Sequence, residues 1–99
     1  MNMMTELSVG VEVVRTLADC LKAIGNPKRL EIVQFCSRPR TFTDIVVSLK
    51  LNPASFRFHS KVLMNCDLIR KVERGVYHTT ELGNRLLELV EQASRLSKN

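Results

Sequence analysis

The sequence predicts a mainly α fold with a small β-hairpin wing, the winged helix-turn-helix arrangement, from three observations. Residues 51–63 read Leu-Asn-Pro-Ala-Ser-Phe-Arg-Phe-His-Ser-Lys-Val-Leu, a helix with basic positions on one side. They follow the apolar run Ile45-Val46-Val47-Ser48-Leu49 after a break of a few residues. A short basic hairpin signal, from Leu68 to Thr79, comes next. Helix, tight turn, basic helix and hairpin in that order present one helix to a DNA major groove.

Bulk properties bound the rest. The chain has 99 residues, enough for a single domain spanning 1–99. A domain of this size buries about 60–68% of its unfolded surface, so a partner subunit would help it. Aromatic residues make up 5% of the chain and Trp is absent, so packing rests on Leu, Val and Ile. The net charge is +5, and its location matters. Residues 37–78 hold eight bases (Arg38, Arg40, Lys50, Arg57, Lys61, Arg70, Lys71, Arg74) against Asp44, Asp67 and Glu73. The remaining seven bases and seven acids cancel, so the whole excess lies on the segment expected to read DNA. A localised positive field attracts a polyanion. Cys20, Cys36 and Cys66 are odd in number, far apart and without a CxxC pair. No secretory segment and no apolar run near the ~20 residues of a membrane span is present, so a cytoplasmic protein with reduced thiols and no membrane partner is expected.

The elements follow in order. Leu7, Val11, Val14, Ala18 and Leu21 recur at spacings of four and three, beside a second stripe of Val13, Leu17, Cys20 and Ile24. This predicts a first helix over about 6–24 whose apolar surface is wide enough for two neighbours, its own domain and a second subunit. Gly25-Asn26-Pro27 ends it, and Asn26 caps a second helix to about Cys36, with Pro27 at its first position. Arg38-Pro39-Arg40 breaks that helix, and Thr43 is expected to cap a third, through about Lys50, with Asp44 against the helix dipole. Leu51-Asn52 forms the turn, and Asn52-Pro53 repeats the cap-plus-proline start for a fourth helix to about Asn65. Leu68 to Val72 and Val76 to Thr79 are strands joined by Glu73-Arg74-Gly75. Thr80 caps a last helix over about 81–96, in which Leu82, Leu86, Leu89, Ala93 and Leu96 repeat as a packing seam.

On a wheel at ~100° per residue, Phe56, His59 and Leu63, with Val62 and Cys66 more loosely, share one side of the fourth helix. Arg57 and Lys61 lie opposite, one turn apart. Docking of the apolar side therefore turns both cations outward. Arg57 can bridge guanine O6 and N7, a contact worth about 1–3 kcal/mol of discrimination. Lys61 suits a phosphate, and Ser55 near the helix start can donate to a phosphate or base edge. Phe58 falls between the two faces, either on a thymine methyl or tucked against the wing or third helix, the latter slightly favoured. Arg70, Lys71 and Arg74 cluster at the hairpin turn, where a wing can lay them along the backbone or in the minor groove. His59 reads as a core-edge histidine with a local hydrogen bond, and His78 as a strand residue. The Cys and His spacings suggest no metal site. No nucleophile–base–acid set, glycine-rich phosphate loop or paired carboxylates occur, so neither an enzyme nor a cofactor is expected.

At this point residues 17–92 resemble the ArsR-type winged helix-turn-helix regulators. Leu21-Lys22-Ala23-Ile24-Gly25-Asn26-Pro27-Lys28-Arg29-Leu30-Glu31-Ile32 is similar to the family's ALADPTRLRIL motif, and Leu51 to Leu63 to its LSQSTVSHHLKVL recognition helix. Asp67-Leu68-Ile69-Arg70 is similar to GLVR, and Tyr77 to Gly83 to the YxLTxxG closure. The resemblance implies a homodimer joined through the first and last helices, with Leu7, Val11, Val14, Leu86, Leu89, Ala93 and Leu96 at the interface. By position, Asn52, Ser55, Arg57, Phe58 and Lys61 match the DNA-reading stretch. The departures are specific. The Cys-x-Cys of metal-sensing members is replaced by Thr43-Asp44-Ile45-Val46-Val47-Ser48, and Leu86 to Leu96 has no His. Ser60 stands where a core leucine is usual, and the wing is short.

The reading is thus a dimeric, sequence-specific regulator of double-stranded DNA without a metal effector. The alternatives are a chromatin-like protein that coats DNA without preference and a winged-helix protein-interaction module.

Overall fold

A computed structural model describes residues 15–97; the expected start of the first helix, with Leu7, Val11, Val13 and Val14, lies outside them. Helix α1 occupies residues 15–24. It is followed by α2 (Pro27–Phe35), β1 (Arg40–Thr41), α3 (Phe42–Ser48), α4 (Pro53–Asn65), β2 (Ile69–Glu73), β3 (Val76–Thr79) and α5 (Glu81–Ser97). The three strands form one antiparallel sheet in the order β1-β3-β2. The mainly helical winged helix-turn-helix class is therefore the observed one.

The helix starts follow local chemistry. The Asn26 side chain accepts from the backbone N–H groups of Lys28 and Arg29, and that of Asn52 from Ala54, each followed by Pro at the first helical position. The third helix starts earlier than Thr43 predicts. Thr41 is its cap, accepting from Asp44 N–H at 3.0 Å. Thr41 and Asp44 have capping-box spacing, whereas Thr43 is three residues from Val46, which has no such partner. Thr41 is also fixed by pairing with Val76, a two-residue strand with no periodicity to reveal it.

The helix ends are equally specific. After α3, Leu51 N–H reaches the Val46 carbonyl and Lys50 N–H that of Val47, with Lys50 at φ 53°. After α4, Leu68 N–H reaches Leu63 and Asp67 N–H reaches Met64, with Asp67 at φ 57°. Both are Schellman ends with a left-handed residue just past the cap. They set the angle between α3 and α4 and the departure of β2 from α4.

The core is one cluster. Ile32 and Val33 from α2, Cys36, Ile45 from α3, Phe56 and Leu63 from α4, Leu68 and Ile69 are nearly inaccessible. Phe56 meets Phe42 edge-on at 5.4 Å and Tyr77 at 5.1 Å between centroids, so one ring joins α3, α4 and β3. Cys20, Ala23 and Ile24 close the cluster from α1, and Leu86 from α5. Thr79, also buried, donates its hydroxyl to the Val33 carbonyl at 2.7 Å and its N–H to the Cys36 carbonyl at 2.8 Å, tying the sheet to α2.

Leu86 therefore belongs to the protomer's own core and not to an outward seam. The reason is Gly83 one turn earlier. A Cβ at position 83 would overlap the Leu68 carbonyl oxygen and lie 2.6 Å from Thr79 Cγ2. Only glycine lets α5 approach β2 and β3 so closely, and that approach turns Leu86 inward. Gly83→Ala is expected to destabilise the fold by about 1–3 kcal/mol, because overpacking outweighs the ~1 kcal/mol helix-propensity advantage of alanine. Chemical denaturation checks this, and a stabilised variant would show that α5 is not held at that distance.

Candidate nucleic-acid interface

The outer face of α4 is built from its inner one. Phe56 and Leu63 are fully buried, so Arg57 and Lys61 are turned out and exposed. Ser60, in place of the usual leucine, is buried but satisfied, donating its hydroxyl to the Arg57 carbonyl at 3.1 Å. Its burial therefore leaves no unpaired hydroxyl, so the polar side chain carries no desolvation penalty of an orphaned donor.

Between α4 and the wing runs an open groove of about 410 Å³, lined by Arg57, Lys61, Lys71, Phe42, Tyr77 and neighbouring residues. Three cations and no acid line it. Two of them rest on the aromatic rings that sandwich Phe56. The Arg57 guanidinium carbon lies 5.5 Å from the Phe42 centroid, and Lys71 Nζ lies 5.7 Å from that of Tyr77. Cation–π contacts at such exposed sites are worth about 0.5–1 kcal/mol, enough to bias a side chain's direction without withholding its charge from a ligand.

The wing residues divide. Lys71 joins Arg57 and Lys61. Arg74 is exposed at the turn, where Gly75 takes φ 71°. Arg70, one residue from Lys71, points to the other side of the strand, into a cleft with Asp67, His78 and Glu81. The structure brings Lys71 and the turn residue Gly75 to α4, not Arg70. Asn52 accepts through its side-chain oxygen from Ala54 N–H at 2.8 Å, which leaves its amide NH2 for a ligand. Ser55 is exposed in the first turn of α4.

Phe58 is 62% exposed, which the favoured tucked position does not anticipate. Its ring touches His59 edge-on at 5.6 Å, and it borders a cleft between α1 and α4. The wing and α3 line a different groove, with Arg57 and Lys61.

Sequence reasoning missed Arg29. Its Nε donates to the Ala23 carbonyl at 2.5 Å, and its guanidinium donates to His59 Nδ1 at 3.2 Å. Arg29 thus fastens α4 to the end of α1. Its place in the Asn26-Pro27-Lys28-Arg29 motif was the only signal. Arg40 is also internal: it stacks 4.2 Å from the Phe35 centroid and donates to the Phe35 carbonyl at 2.9 Å.

The outward apolar residues lie elsewhere. On α5, residues 91–97 are all exposed, and Leu89 and Leu96 are 60% and 76% accessible, with Ala93 between them. Leu17 and Leu21 on α1 are also exposed. Among the described residues no group of three or more His, Cys, Asp or Glu could hold a metal ion, and no helix is long and apolar enough to cross a membrane.

An arsenical resistance operon repressor from Bacillus subtilis is 28% identical over 75 residues, 74% of this chain and 71% of that protein. A homodimeric winged helix-turn-helix DNA-binding domain from Mycobacterium bovis, a possible ArsR-family transcriptional regulator, superposes with a TM-score of 0.79. It is 21% identical, over 87% of this chain and 84% of that one. HlyU from Vibrio cholerae superposes with a TM-score of 0.69 at 18% identity, over 87% and 96% of the two chains. This is a winged helix-turn-helix domain. The resemblance to the ArsR-type regulators is borne out, by the repressor in sequence and by the superposed domains in fold. No family model matches the chain.

His59 yields a prediction. Burial first, and then the Arg29 guanidinium, hold it below the usual histidine range of 6.5. The unfolded chain therefore takes up this proton at higher pH than the folded one. His59 costs nothing above about 6.5, and stability falls as pH drops from there towards the lower folded value. In His59→Gln, which still accepts from Arg29, the melting temperature is expected to fall less between neutral pH and pH ~5 than in wild type. Equal falls in both proteins would remove His59 from the acid response.

Proposed function

We propose that the chain is a homodimeric, sequence-specific DNA-binding transcriptional regulator of ArsR type that works without a metal effector. One observation carries the reading: Arg57, Lys61 and Lys71 converge on a groove free of acids, on the face opposite a buried Phe56–Leu63 anchor. In this reading Arg57 reads a base edge in the major groove, with Phe58 and Ser55 beside it. Lys61, Lys71 and Arg74 neutralise phosphates, and the amide NH2 of Asn52 donates a hydrogen bond to one. Arg70 is a flanking contact at most.

The relatives are a repressor and possible regulators, and the chain is not an enzyme. The homodimeric Mycobacterium bovis domain supports pairing here. The seam we assign to it is Leu89, Ala93 and Leu96 with Leu17 and Leu21, continued by Leu7, Val11 and Val14. The absence of a Cys-x-Cys on α3 supports a metal-free mechanism. A cytoplasmic location fits such a role.

Binding to a selected duplex, measured over a salt series, tests this reading. If three cations per protomer meet phosphates, the dimer should lose affinity with a log–log slope near −5, at about −0.9 per phosphate. Arg57→Ala is expected to cost about 1–3 kcal/mol on the preferred site and little on random duplex. Lys71→Ala should weaken both alike and flatten the slope by about 2 per dimer. A uniform loss in Arg57→Ala would favour a coating protein, and no binding at low salt would favour a protein-interaction module.

A further inference from the structure

Two thiols meet where α1 crosses the end of the reading helix. Cys20, 3% exposed, directs its S–H at the Cys66 carbonyl 3.7 Å away. The Cys66 side chain springs from the residue whose carbonyl takes that S–H, so the two cysteines face each other across the junction of α1 and α4. Cys66 is the C-cap of α4, held at φ −94°, ψ 6°, and is only half-buried. It opens onto the cleft of about 400 Å³ bordered by Lys22, Arg29, Phe58 and Asn65. One thiol is therefore reachable from solvent, and the other waits behind it.

We propose that Cys20 and Cys66 form an oxidisable dithiol whose closure to an intramolecular disulfide repositions the reading helix and weakens DNA binding. Its effect on DNA rests on the function proposed above; the chemistry does not.

The oxidant class is a hydroperoxide. The Cys66 sulfur attacks one peroxide oxygen, an S–O bond forms and the O–O bond breaks. The thiol proton leaves with the displaced hydroxide as water, and the sulfur is oxidised to a sulfenic acid. The Cys20 sulfur then attacks the Cys66 sulfur. An S–S bond forms, the S–O bond breaks, and the Cys20 proton leaves with hydroxide as a second water. Each disulfide consumes one hydroperoxide. The second step is slow by construction. Burial first, then Cys66, Asp19 and Asp67, hold the Cys20 thiol above its ordinary range.

Closure is mechanical. Disulfide sulfurs lie ~2.05 Å apart, well inside any non-bonded sulfur contact. The end of α4 and α1 must approach each other, and Cys20 loses the proton it donates to the Cys66 carbonyl. Phe56 is fixed between Phe42 and Tyr77 near the start of α4. Motion at Cys66 therefore pivots the helix about Phe56 and displaces Lys61 relative to Lys71. Cys36 takes no part: it is fully buried, and burial pushes its thiol up to about 12 despite Arg40.

The test uses the full chain, reduced and then treated with hydrogen peroxide, followed by non-reducing peptide mapping and duplex-binding measurements. The expected result is a link between the peptides holding residues 20 and 66, absent in Cys66→Ser and retained in Cys36→Ala. Oxidised wild type should bind about tenfold more weakly, and a phosphine reductant should restore it. Cys66→Ser should bind like reduced wild type and ignore peroxide. A Cys66–Cys66 link between copies, or Cys66 oxidised to sulfinic acid with Cys20 still free, overturns the proposal. So does a 20–66 link that leaves affinity unchanged. Failure of reduced wild type to bind any duplex instead overturns the proposed function, and the peptide map reports the dithiol independently.

Discussion

The fully buried Phe56 ring is the interaction on which the interface depends. It sits between Phe42 of α3 and Tyr77 of β3, both edge-on. Such pairs are worth about 0.5–1.5 kcal/mol beyond area burial. Their larger consequence is directional. With position 56 fixed inward, position 57 must face outward, and the outer sides of the two flanking rings receive Arg57 and Lys71. A core contact thus sets the spacing of surface charges. The helix and the wing are one charged surface because one aromatic cluster holds both.

The terminal helices each have an inward and an outward apolar side. α1 turns Cys20, Ala23 and Ile24 inward and leaves Leu17 and Leu21 outward. α5 docks through Gly83 and Leu86, then runs free of the domain beyond Val90, with Leu89 and Leu96 open to solvent. In the proposed homodimer this surface is the one a second copy would cover. Arg29 joins this layer to α4 by bridging Ala23 and His59. The region between α1 and α4 is therefore where a change in one layer reaches the other.

Much of this was legible in the sequence, and the failures have physical reasons. Asn26-Pro27 and Asn52-Pro53 marked two helix starts because cap chemistry is local. The period of Phe56, His59 and Leu63 gave the inner face of α4, and so the outward pair Arg57 and Lys61. β1 was invisible, because two residues have no period and their strand character comes from Val76 and Tyr77. The cap at Thr41 is hidden for the same reason, which is why Thr43 reads as the start of α3. Arg70 and Lys71 looked equivalent in a basic cluster, yet strand alternation sends them to opposite sides. Leu86 fitted an outward seam until the close approach at Gly83 turned it inward. Arg29 and Arg40 were counted as free charge, but both are engaged with backbone carbonyls, which charge counting does not see.

The central claim is that DNA is met by α4 and the wing together, through the surface set by Phe56. Backbone amide spectra of the isotope-labelled chain, titrated with a duplex it binds, test this most directly. The account expects the shifting amides to cluster at 53–61 and 71–75, with 91–97 unmoved. Shifts concentrated on α5, or spread over α4 with the wing silent, would contradict it.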